Sequence, residues 1–166
     1  DVEDGWSVVF LEPSDAVMFQ DEYPDLLSGP AVEAVADAAY GIMEYADVTG
    51  LPGTVEFATP GRSLSYHGHC NQKATNKDHH ALAVLQGAGY DVDPLNTTCC
   101  GMAGSFGYHE EHYDISQAIG RMLFEEVEES PADQVTAPGA SCRSQLGDEY
   151  DDHPPHPVEM LADTLR

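Results

Sequence analysis

Short apolar runs of strand type alternate with helical segments along this chain, and each run is closed by a Gly- or Pro-containing turn. That rhythm restricts the fold more than any other feature. Trp6–Leu11, Arg62–Tyr66, Tyr90–Leu95 and Gln134–Ala137 read as strands, and Val55–Phe57 as a further short one, because β-branched and aromatic residues run up to turn formers. Residues 30–48 carry apolar positions at helical spacing behind Pro30, which suits a first helical turn. Residues 71–87, 115–129 and 158–165 also read as helices; in the second of these, Ile115, Ala118, Ile119, Met122, Leu123 and Val127 form the stripe expected to face the core. Strands alternating with helices imply an α/β domain with a mainly parallel sheet and flanking helices.

A faint internal repeat overlays this pattern. Ser14–Tyr23 aligns without gaps on Ser141–Tyr150, both ending Asp-Glu-Tyr, and each follows an apolar strand and a Pro. It predicts pseudo-repeated strand-turn-helix halves: residues 1–60 as the end of a preceding half and residues 61–166 as a cysteine-bearing half, together one compact domain. It also puts Asp15 where Cys142 stands in the other half, with Ser14 or Asp15 expected to cap the helix that follows. A length of 166 residues suits one domain. The opening Asp-Val-Glu-Asp-Gly runs straight into a strand, as expected of a piece of a longer chain.

Charge removes several function classes. Six Lys and Arg stand against 30 Asp and Glu, a net charge of −24, so the long-range field is negative and neither nucleic acid nor an anionic membrane surface is a partner. No stretch reaches the roughly 18 consecutive apolar residues of a membrane helix, which places the chain in the cytoplasm, at a membrane only through partners. The acidity is spread along the whole length, as in proteins adapted to molar salt, where a Debye length of about 3 Å screens self-repulsion.

In such a chain, four cysteines are better read as metal ligands or redox groups than as a disulfide framework. Cys70, the adjacent pair Cys99–Cys100, and Cys142 each lie just after an expected strand. In a parallel sheet those places converge at the carboxyl edge, where ligands bind. Four thiolates there suit zinc or iron–sulfur, and helix N-termini after Cys70 and Cys142 would lower the thiol pKa. A vicinal pair can turn both side chains toward one centre only in a bent turn, which Gly101 supplies. Taken singly, Cys70 or Cys142 also fits a small buried hydrophobe.

Tyr66-His-Gly-His-Cys70-Asn-Gln-Lys-Ala74, Cys99-Cys-Gly-Met-Ala-Gly-Ser-Phe-Gly107, Ser141-Cys-Arg-Ser-Gln145 and His156-Pro-Val-Glu159 together resemble the cysteine-rich CCG domain. That domain occurs in the C-type chain of anaerobic glycerol-3-phosphate dehydrogenase, the iron–sulfur chain of glycolate oxidase, the B-type chain of heterodisulfide reductase and the C-terminal part of FAD-linked D-2-hydroxyacid dehydrogenases. The resemblance implies an electron-transfer module with an iron–sulfur cluster, or alternatively zinc, on Cys70, Cys99, Cys100 and Cys142. It further implies a flavin dehydrogenase domain or subunit and a ferredoxin-like domain as partners, with FAD only on the separate domain. A zinc-stabilised docking domain without redox activity is the alternative function. The family pattern ends in Cys-x-x-Cys, whereas Gly139 stands at its first position here. Four thiols match a four-ligand cluster or one zinc better than a five-cysteine non-cubane cluster.

His67 and His69 precede Cys70, and either one as an additional or substitute ligand is weighed against a polar contact at the rim. His156 suits a helix cap. Lys73 and Arg143 suit either thiolate charge balance or surface ion pairs, and Phe106–Tyr108 suits core packing. With no Gly-x-Gly-x-x-Gly after a strand, no phosphate loop and no nucleophile elbow, the chain is not expected to bind flavin or nucleotide by itself.

Overall fold

A computed structural model describes residues 1–166 as an α/β fold with parallel sheets and flanking helices. Strand β1 (Val8–Phe10) leads into a helical stretch that begins as α1 (Pro13–Val17), passes through a π-turn and ends as α2 (Tyr23–Leu26). Helix α3 (Pro30–Ala38), strand β2 (Ala39–Gly41) and helix α4 (Ile42–Val48) follow. Next come β3 (Leu64–Tyr66), α5 (Cys70–Ala74), α6 (His79–Gly87) and β4 (Val92–Pro94). The chain closes with α7 (Tyr113–Glu129), β5 (Gln134–Thr136), α8 (Ala140–Tyr150) and α9 (Pro157–Thr164).

Two parallel sheets result. β1 pairs with β2, Val8 opposite Ala39; β3 lies between β4 and β5, with Leu64 opposite Val92 on one side and Gln134 on the other. As the central strand, β3 is buried at all three residues, so it is covered on both faces. One apolar cluster packs Met43, Leu64, Val84, Leu85 and Met160. A second joins Leu95, Met102, Leu123, Phe124 and Leu146 with Cys100 and Cys142.

Four local expectations are corrected. The single helix over 30–48 is interrupted at Ala39–Gly41, because Tyr40 and Gly41 are poor helix formers and their backbone is satisfied by pairing with β1. Gly41 then starts α4, its N–H donating to Glu44 Oε2 at 3.2 Å. The helix over 71–87 divides after Ala74: Thr75 Oγ1 donates back to Asn71 O at 3.0 Å, and Asn76 takes a left-handed φ of 57°. Val55–Phe57 forms no strand, only an antiparallel bridge between Phe57 and Leu165. Helix α7 buries Ser116, Gly120, Leu123 and Phe124, while Ile115 and Met122 are exposed. Its inner face is chosen by close approach of small residues to the cysteine turn rather than by the greasiest stripe. No helix is long and apolar enough to cross a membrane.

Candidate metal centre

All four cysteines lie beyond the carboxyl ends of β3, β4 and β5, the three strands of one parallel sheet. Cys70 is the first residue of α5, Cys99 and Cys100 follow β4 through a short loop, and Cys142 sits in the first turn of α8. All are free thiols; Cys100 and Cys142 are buried, Cys70 and Cys99 half-buried.

The Cys99–Cys100 turn depends on Gly101. Its φ of 95° is costly for any residue with a side chain, and a Cβ there would strike the Ser116 carbonyl of α7. The same turn brings the Gly101 N–H to 3.4 Å from Cys99 Sγ. Gln145, buried on α8, donates from Nε2 to Ser116 O and to Ser116 Oγ, both at 3.3 Å, locking the two helices that bracket the turn.

The loop before the turn is held from both sides. Lys73 Nζ donates to Leu95 O at 3.0 Å and Thr97 O at 2.7 Å. Glu126 Oε2 accepts from Asn96 N at 2.7 Å and Thr97 N at 3.0 Å. Lys73 is therefore neither a thiolate counterion in contact nor a surface ion pair; it and Glu126 clamp the cysteine loop. Arg143 makes only a 4.0 Å approach to Glu159. Phe106 stacks on His112, and Tyr108 is exposed rather than in the core.

Burial and thiol–thiol interaction raise three of the four thiols, Cys70, Cys99 and Cys100. Interaction with the Cys100 thiol, together with burial, raises Cys99 far above the ordinary thiol value. Cys100 is pushed up to about 12, chiefly by the Cys142 thiol and then by burial. Burial also raises Cys70, outweighing the backbone N–H of Asn71. The lowering expected there from a helix N-terminus is thus overturned; α5 has five residues and little dipole to offer.

His67 and His69 are both buried, and the structure separates them. His69 is the N-cap of α5: its Nδ1 accepts from Asn71 N at 3.3 Å. Its Nε2 therefore carries the ring proton and faces Glu12 Oε1 at 3.9 Å. The His69 ring also lies over Gly139, where a Cβ would collide with its Cδ2 and meet Cys142 Sγ at 3.3 Å. His67 is fully buried, and neither ring nitrogen has a hydrogen-bond partner. Burial holds it neutral, with a pKa lowered to about 4.

Two functional contacts escaped the sequence. Glu12, rather than Ser14 or Asp15, caps α1, its Oε1 accepting from Ser14 N at 3.4 Å and from Ser14 Oγ at 2.7 Å, and its other oxygen accepts from Ala140 N at 2.8 Å, the first residue of α8. His156 caps α9 through Nδ1, as expected, while its Nε2 reaches Leu11 O at 3.2 Å. Glutamate is an unusual N-cap, and no spacing signals a cap shared with a helix 128 residues away.

The side chains test well as donors for a soft metal: four thiols from three loops, and buried polar atoms left unsatisfied around them. Tyr66 Oη, both His67 nitrogens and Thr97 Oγ1, all on segments that lead to the cysteines, are buried without partners. No three His, Cys, Asp or Glu side chains converge at ligating geometry.

A parallel sheet with cysteines gathered past its strand ends defines a cysteine-rich α/β domain. Residues 64–147 match the family described as the CCG cysteine-rich domain, and the chain belongs to that family. Over 97 % of its length it is 28 % identical to the C-type chain of the anaerobic glycerol-3-phosphate dehydrogenase of Escherichia coli, covering 41 % of that protein. It is also 25 % identical, over 98 % of its length, to the D-2-hydroxyglutarate dehydrogenase of Escherichia coli, and 23 % identical, over 97 %, to that of Pantoea ananatis. The chain spans 16 % of each of these two.

Proposed function

We propose that this chain is the electron-transfer module of a flavin-linked 2-hydroxyacid or glycerol-3-phosphate oxidoreductase, with Cys70, Cys99, Cys100 and Cys142 holding an iron–sulfur cluster. The observation that carries the reading is the placement of all four thiols beyond the carboxyl edge of one three-stranded parallel sheet, with Cys100 and Cys142 in the same buried cluster. The names of the relatives, one chain of a dehydrogenase and two hydroxyacid dehydrogenases, supply the reaction class.

When bound, such a cluster supplies reversible one-electron transfer. The chain's own residues do the rest. The thiols give up their protons to become ligands. Gly101 lets the vicinal pair face one centre, and Lys73 and Glu126 fix the loop that presents it. The substrate would be oxidised on a flavin-bearing domain or subunit, and a ferredoxin-like domain would pass the electrons on.

The test is purification without oxygen followed by iron, sulfide and zinc analysis and visible absorption. Stoichiometric iron and sulfide, with an absorption that dithionite bleaches and that Cys99→Ser or Cys100→Ser abolishes, are the expected results. One equivalent of zinc and no redox response would make this a zinc-stabilised docking domain instead. Absence of both metals would overturn the ligand assignment.

A further inference from the structure

We propose that His67 supplies a nitrogen ligand to the cysteine centre, making it a mixed thiolate–imidazole site in which His69 takes no part. The inference rests on the four cysteines being ligands and adds a fifth residue to them.

Three observations support it. His67 is 0 % exposed and both of its ring nitrogens lack a partner. A neutral imidazole carries one N–H and one lone pair, and leaving a buried polar atom unsatisfied forfeits the hydrogen bonds it made with water. Such an atom is retained when something absent from the polypeptide satisfies it, and a metal ion satisfies a lone pair. Second, the chain places His67 at the cysteine edge of the sheet: it directly follows β3, three residues before Cys70, and its backbone N–H donates to Thr136 O at 3.0 Å, at the end of the strand that leads to Cys142.

Third, the alternative nitrogen donor is already engaged. The one lone pair of a neutral His69 is used at Nδ1 to cap α5. Its remaining nitrogen therefore bears a proton and points toward the Glu12 carboxylate. For His69 to ligate, α5 would lose its cap and the ring would leave the space over Gly139. His67 gives up nothing. Imidazole nitrogen and thiolate sulfur are compatible around zinc and around iron.

The test is made on the wild-type chain, uniformly labelled with carbon-13 and nitrogen-15, reduced and free of metal, and titrated with zinc(II) alone under nitrogen gas. Long-range proton–nitrogen spectra report the protonation and metallation of each assigned histidine ring. The expected result is that one equivalent of zinc moves one ring nitrogen of His67 to the metal-bound position while the His69 nitrogens keep their pattern. His67→Gln should weaken zinc binding at least tenfold, and His69→Gln should not. Zinc bound by the thiols with His67 unmoved, as when buried water satisfies the ring, would overturn the inference and leave the four-cysteine site standing. Failure of zinc to bind at all would overturn the site itself. The wild-type spectra decide between these even if the His67 variant does not fold.

Discussion

Replacing Gly101 by alanine tests whether the vicinal cysteine turn is built by close approach to α7. Two costs are added. The φ of 95° strains any L-residue, by about 1–2 kcal/mol in the left-handed region. The new Cβ also strikes the Ser116 backbone carbonyl, with Gly120 N 3.1 Å away; neither is the free end of a flexible side chain, so α7 must shift, and overpacking of this kind costs about 1–3 kcal/mol. The total, about 2–5 kcal/mol, is a large part of the roughly 5–15 kcal/mol that holds a domain folded. Gly104 is the internal control: its φ is 68°, but nothing lies within 4 Å of the position its Cβ would take. Gly104→Ala should therefore cost only the strain. In urea unfolding of the reduced, metal-free protein, a slope near 2 kcal/mol per molar converts these costs to midpoint losses of about 1–2.5 M for Gly101→Ala and about 0.5–1 M for Gly104→Ala. Equal midpoints for the two variants would refute the packing argument, whatever the absolute values.

Because mutual thiol interaction and burial raise Cys99 and Cys100, and burial raises Cys70, above the ordinary value of 9.0, the thiolate is the minor form at neutral pH and grows only as pH rises through the folded pKa values. Iodoacetamide should therefore modify the native, metal-free protein at a pH of about 7.5 more slowly than the urea-unfolded chain, with the difference read by mass spectrometry of the peptides; equal rates would contradict the burial and thiol coupling. A net charge of −24 should make the folded state gain stability steadily from dilute buffer to about 2 M KCl, since about 3 Å screening at molar salt relieves repulsion that is stronger in the compact form. A urea midpoint that stays constant across that range would show that self-repulsion is not limiting.

The fold class was legible because strand and helix periods differ, and the cysteines were legible as a set because each follows a strand. What escaped is tertiary in origin. Ala39–Gly41 is too short and too ordinary to announce a strand; it becomes one because β1 needs a parallel neighbour. The buried face of α7 is set by Ser116 and Gly120, whose smallness matters only once the Cys100 carbonyl is known to lie 3.1 Å from a Cβ placed on Gly120. Hydrophobicity alone points instead to Ile115 and Met122. Lys73 looked like a charge and acts as a double donor to two carbonyls, a role that no spacing encodes. His67 and His69 are indistinguishable in the motif Tyr-His-Gly-His-Cys. Only the hydrogen-bond inventory tells a ring whose lone pair is spent from one whose lone pair is free.

Gly139 ties together residues that are distant in the chain, and this constrains the order in which the sequence can change. A cysteine introduced there alone meets the His69 ring, which caps α5, and arrives at the start of a helix whose first N–H is held by Glu12. The single step is therefore penalised although it adds a thiol. Shortening residue 69 first clears the space but uncaps α5, at about 1 kcal/mol for a lost cap. Positions 12, 69 and 139 are accordingly epistatic: a four-cysteine chain of this kind is separated from a five-cysteine one by more than one substitution, and an engineer adding a thiol at 139 should change 69 and 139 together.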